Sequence, residues 1–98
     1  MITINDKNYE IIENSRDAFD EAILKEKLTE YFDEYDYIVG DWAYGKLRLK
    51  GFNEKGNKNY NKINDFANVK NYIEDYCAYG CKYFIIKRIN VEWLNKLW

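Results

Sequence analysis

Residues 35–52 read YDYIVGDWAYGKLRLKGF. Tyr37–Val39 is short and apolar, and Lys46–Phe52 alternates clearly, so both segments read as strands. The chain is expected to reverse either at Gly40-Asp41, with Gly first, or at Tyr44-Gly45. Successive side chains of an extended strand point to opposite faces. Trp42, Tyr44, Lys46, Arg48, Lys50 and Phe52 have one parity. If residues 42–52 run straight, these six share a face, and Ala43, Gly45, Leu47, Leu49 and Gly51 take the other.

Working upstream, Asp20 is a good helix N-cap, with Phe19 placed to close on Leu24 as a hydrophobic staple. Leu24, Leu28, Tyr31 and Tyr35 fall on one narrow helical face, with Ile23 and Phe32 beside it. Glu26, Glu30, Asp33 and Glu34 form the back. Two like-charge pairs there, Glu26–Glu30 and Glu30–Glu34, each cost a few tenths of a kcal/mol. Ile2–Ile4 and Tyr9–Ile12 read as short strands around the polar turn Asn5–Asn8.

Downstream, Asn53–Asn64 is a loop rich in Gly, Asn and Lys, long enough to be mobile. A second helix is expected from Asp65 to Cys77, with Phe66, Val69, Ile73 and Tyr76 as its apolar stripe and Gly80 as its stop. Tyr83–Ile86 is apolar on both parities, the mark of a strand covered on both faces. Glu92–Trp98 suits one or two amphipathic helical turns.

The order β-β-α-β-β-α-β defines an α+β fold, two helices packed on a mostly antiparallel sheet of about five strands. Without the first strand it is the split βαβ order of ferredoxin-like sandwiches. There the last strand lies at an edge, whereas Tyr83–Ile86 reads as central. The expected core is Leu24, Leu28, Tyr31, Leu47, Leu49, Ile73, Phe84 and Ile86.

Ninety-eight residues make a single domain spanning 1–98, which buries roughly 60–65% of its unfolded surface. No run of about 18 apolar residues and no N-terminal signal pattern is visible, so a cytoplasmic protein without a membrane partner is expected. The net charge of −2 conceals an asymmetry: residues 1–45 hold twelve acids and four bases, residues 46–98 five acids and eleven bases. These halves can pair within the fold or present two surfaces of opposite sign. The chain has no histidine, which removes the usual general base, the Ser-His and Cys-His pairs and zinc-imidazole sites. No catalytic motif, phosphate loop or cofactor fingerprint is present.

Cys77 and Cys81 are spaced C-x3-C, which is not the redox C-x-x-C. Two thiols without histidine cannot close a four-ligand zinc site in one chain. They are expected to be reduced and to pack a helix-to-strand corner. Asp33, Asp36 and Asp41 lack EF-hand spacing and sit on different elements. No metal or cofactor is expected.

The aromatic-basic strand is the sharper signal. Rings that stack on bases, with Lys and Arg on phosphates, are how open sheets hold single-stranded nucleic acid. Lys50-Gly51-Phe52 starts like the basic-Gly-aromatic opening of an RNA-recognition motif, but Asn53-Glu54 follows where Gly or Ala and an aromatic belong. The ordinary alternative is a solvated strand face, with Trp42 and Phe52 folded into the core. The expectation is a non-enzymatic binding or regulatory module. Its surface is Trp42, Tyr44, Lys46, Arg48 and Lys50, facing a protein or a single-stranded nucleic acid. The runner-up is a small acidic inhibitor that mimics nucleic acid through Glu26, Glu30, Asp33 and Glu34, and an enzyme of unknown type comes third.

YDYIVGDW and GKLRLKGF within Tyr35–Phe52 resemble the core motif of the YutD-like family of small Firmicute proteins. Tyr72–Ile86, YIEDYCAYGCKYFII, is similar to that family's helix ending in Tyr-Cys, followed by Gly-Cys and a strand. Arg16-Asp17-Ala18-Phe19 is similar in kind. At Ala43 and Lys46 the chain departs from the Gly and the uncharged polar residue more usual in that family. The resemblance covers nearly the whole chain. It implies a cytoplasmic single domain and brings no catalytic residues with it.

Overall fold

A computed structural model of the chain describes residues 2–76 and 82–89, Tyr76 by its backbone alone. Strands β1 (Ile2–Ile4) and β2 (Lys7–Ser15) are followed by helix α1 (Glu21–Lys27) and a 3-10 turn at Glu30–Glu34. Then come β3 (Tyr37–Ala43), β4 (Lys46–Phe52), a 3-10 turn at Phe66–Asn68, α2 (Val69–Tyr76) and β5 (Tyr83–Ile89). The α+β class and the element order are those expected.

The five strands form one sheet in the order β1-β2-β5-β3-β4, with every neighbouring pair antiparallel. Strand β5 is central, as its apolar residues on both parities require. This order is therefore not that of a ferredoxin-like sandwich. Ile38 stands opposite Ile86 and Val39 opposite Ile85, so alternate residues divide between two faces. On one face Leu24 and Leu28 pack with Ile38, Leu47, Phe84 and Ile86, over Ile4 and Tyr9. On the other, Val69 of α2 packs with Tyr37, Val39, Phe52 and Ile85. The two helices thus cover opposite faces. Gly40 and Gly51 make room for rings: a Cβ at Gly40 would lie 2.3 Å from the Phe84 ring, and one at Gly51 2.2 Å from that of Tyr35.

Two expectations fail for local reasons. The first helix ends at Lys27 instead of running to Tyr35. Asp20 caps its start by accepting from the Ile23 N–H, but Leu28 and Thr29 are extended. The repelling glutamates and β-branched Thr29 weaken continuation, and the Asn5 side chain takes the Leu28 carbonyl at 2.9 Å. Tyr31 is consequently rephased out of the core and is 67% exposed. Leu49 and Ile73 are only partly buried, packed against the core from its margin.

The Asn53–Asn64 loop is extensively hydrogen-bonded. Fully buried Asn53 accepts the Asp36 N–H at 2.8 Å and the Asn57 side chain at 3.0 Å, while its own amide donates to the Asn59 carbonyl at 3.4 Å. Asn57 also reaches Asp36, and Asn64 bonds Asn59 and Asn61. Tyr60 donates to Asp65, which accepts the Ala67 N–H as well. The last helix expected, Glu92–Trp98, lies outside the described residues, as do Cys77 and Cys81.

Candidate interaction surface

The β3–β4 hairpin turns at Tyr44-Gly45, both with positive φ (54° and 74°), as a two-residue turn matched to strand twist requires. Gly tolerates this conformation and Tyr44 bears its strain. The other candidate, Gly40-Asp41, lies inside β3.

This turn sets the register: Trp42 opposes Leu47, Asp41 opposes Arg48, Val39 opposes Lys50 and Tyr37 opposes Phe52. Cross-strand partners share a face. The segment therefore does not run straight, and the expected face divides. Lys46, Arg48 and Lys50 remain together, on the α2 side of the sheet. Trp42 goes to the opposite side with Leu47 and Leu49, half-buried, its indole N–H donating to the Ala18 carbonyl at 2.7 Å. Phe52 is buried and meets Tyr72 edge-on at 5.5 Å. Tyr44 stands fully exposed at the tip.

The base at the centre of this row has an acid partner. Asp41, 2% exposed, accepts both Nη2 (2.5 Å) and Nε (3.2 Å) of Arg48 through Oδ2. The hydrogen bond and charge of Asp41 raise the Arg48 pKa above its already high ordinary value. Asp41 Oδ1 has no hydrogen-bond partner among the described residues. A buried carboxylate needs its cation, so the pair fixes the guanidinium over the strand. Lys46 is exposed and Lys50 partly buried, its ammonium 5.9 Å from the Phe52 ring centre. Asp41 was missed as a partner, although choosing the Tyr44-Gly45 turn places it opposite Arg48.

The acidic residues do not form one helix back. Glu26 is on α1, and Glu30, Asp33 and Glu34 are on the 3-10 turn beyond the break. Glu30 and Asp33 line a cleft of about 560 Å³ with Asn5, Lys7 and Tyr9. Asp33 and Glu34 line another of about 400 Å³ with Lys58 and Arg88. Arg88 donates to the Asp33 carbonyl. Bases are thus interleaved with the acids. Beside this turn, the Tyr31–Tyr35 hydroxyl contact (3.2 Å), with burial, pushes the Tyr35 phenol up to about 12. Asp36 is tied to the loop and Asp41 to Arg48, and no group of three potential metal ligands gathers among the described residues.

The molecule is a small α+β domain whose helices sandwich an antiparallel sheet and whose outer hairpin carries a row of bases. Residues 3–87 match the family described as "Putative antitoxin YutD-like", and the chain belongs to that family. It is 42% identical over 89 residues to a Bacillus subtilis (strain 168) protein described as "Putative antitoxin YutD", covering 91% of this chain and 98% of the relative. A solution NMR structure of protein yutD from B. subtilis is similar in fold, with a TM-score of 0.76 and 41% identity over 92% of this chain and 82% of that one.

Proposed function

We propose that this protein is a non-enzymatic, antitoxin-type module that acts by binding an acidic protein partner through the β4 face bearing Lys46, Arg48 and Lys50, with Tyr44 at its end. The observation that carries this reading is the row itself: three bases at alternate positions of one strand, the middle one braced by Asp41. The family description supports a role in restraining another macromolecule. A protein is favoured over nucleic acid because Trp42 and Phe52 have left the row and only the tip ring, Tyr44, remains. Trp42 is on the opposite face and Phe52 is buried, so single-stranded bases lack the stacking platform that such binding uses.

The test is co-precipitation from nuclease-treated lysate with the native protein and the Lys46→Gln/Arg48→Gln/Lys50→Gln variant. A partner held despite nuclease and released by the triple change is expected. A partner retained equally by the variant would overturn the assignment. Short single-stranded RNA or DNA binding tighter than millimolar, with steep salt dependence, would replace the protein partner by nucleic acid.

A further inference from the structure

Among the described residues, strand β4 lies at one edge of the sheet and pairs with β3 alone. The hairpin turn determines which of its backbone groups face outward. A two-residue loop is flanked by a pair that exchanges both ladder bonds, here Ala43 and Lys46. Lys46, Arg48 and Lys50 therefore direct N–H and C=O to β3, while Leu47, Leu49 and Gly51 direct theirs away from it. Two observed bonds agree with this phase. The Trp42 N–H, which points away from β4, donates at 3.0 Å to the carbonyl of Lys82, the residue just before β5 on its other side. Asn53, next in the outward series, donates its N–H to the Asn64 carbonyl at 2.7 Å and accepts the Phe66 N–H at 3.0 Å.

The Asn53 contact is a parallel bridge to Asp65. The chain's own loop has laid one rung of an additional strand on this edge and gone no further. Among the described residues, no other backbone bond reaches the outward groups of Leu47, Leu49 and Gly51. Their side chains are sunk in the core, packed at its margin or absent, so the edge offers a partner its main chain. The strand runs seven residues without a register shift, whereas the opposite edge, β1, has three. A long regular edge is a template for strand addition.

The charges select the strand that fits. A second copy paired antiparallel would set Lys46, Arg48 and Lys50 against bases, and like charges directly opposite destabilise. We infer that β4 receives a strand from the partner, an extended segment of alternating acidic and apolar residues whose main chain bonds Leu47, Leu49 and Gly51 while its carboxylates lie beside Lys46, Arg48 and Lys50. This rests on the proposed binding face and adds how the partner is held.

The test uses a capped seven-residue peptide of alternating Glu and Val, titrated into the intact protein and followed by NMR and amide hydrogen exchange. The amides of Leu47, Leu49 and Gly51 should slow by about tenfold or more, with those of Lys46, Arg48 and Lys50, already bonded to β3, unchanged. Methylating the peptide backbone nitrogens at one parity should abolish binding and at the other parity spare it, a control that leaves the protein untouched. Absence of binding at millimolar peptide, or binding without slowing at the three amides, overturns strand addition. Loss of binding in the triple Gln variant without slowing in the native protein leaves the basic face standing and removes only the added strand. Equal affinity in native and triple Gln proteins, with slowing in both, keeps the strand and removes the basic face.

Discussion

Strand β4 begins and ends in connections of opposite construction. At Tyr44-Gly45 two residues reverse the chain by backbone geometry, and the Tyr44 side chain is left in solvent. After Phe52 a twelve-residue loop returns to α2 through side-chain amides, with Asn53 at its root fully buried. The first connection needs only permissive φ angles. The second needs several side chains satisfied together, and Asp36, far away in sequence, is one of them. The contrast shows that a long loop can be the better-specified end of a strand.

The strongest way to break this contrast is Asn53→Ala. It leaves the Asp36 N–H without its acceptor and removes the donor to Asn59, so a loss of about 3 kcal/mol is expected from chemical denaturation. A loss below about 0.5 kcal/mol, the size of an ordinary surface change, would show that the network does not hold the loop. Gly45→Ala should cost about 1 kcal/mol, because only backbone strain opposes it: a Cβ there meets nothing within 4 Å. A cost near that of Asn53→Ala would mean the turn is held by more than its φ angles.

Smaller still, Tyr44→Asn should be neutral or stabilise by a few tenths of a kcal/mol, since Asn accepts positive φ more readily and Tyr44 is fully exposed. A clear loss of thermal stability would reveal packing by the ring. The subtlest expectation concerns pH. Asp65 has its pKa lowered by the Ala67 N–H and then by the Tyr60 hydroxyl. A depressed folded pKa gives stability that is present above the unfolded value and lost as pH falls through the folded one. Acidification below the ordinary aspartate range should therefore loosen the loop around Asp65. Amide exchange near Ala67 that stays flat through this window, or changes equally in Asp65→Asn, would contradict it.

The same division explains what could be read in the sequence. The Lys46–Phe52 alternation, the Asp20 cap and the two-sided apolarity of Tyr83–Ile86 are local patterns, and each led to the element observed. The bases also stayed on one face, because they share a single strand. Trp42 did not join them, because two turns were compatible with the residues and its face depends on which one forms. The helix break after Lys27 was hidden because Leu24, Leu28, Tyr31 and Tyr35 keep helical spacing across it, whereas the Leu28 carbonyl is captured by Asn5 from another part of the chain. Likewise the loop asparagines were visible as composition, but their partners were not.

The central place of β5 also has a consequence in time. On a ribosome, β2 and the β3–β4 hairpin emerge before the strand that must separate and join them. Until residues 83–89 arrive, each holds an open inner edge, and joining them requires pairing across most of the chain, from Ser15 to Tyr83. Such distant pairings form slowly, and exposed strands are open to wrong partners while they wait. The nascent chain is thus most vulnerable just before β5 inserts. A chaperone would matter most in that interval.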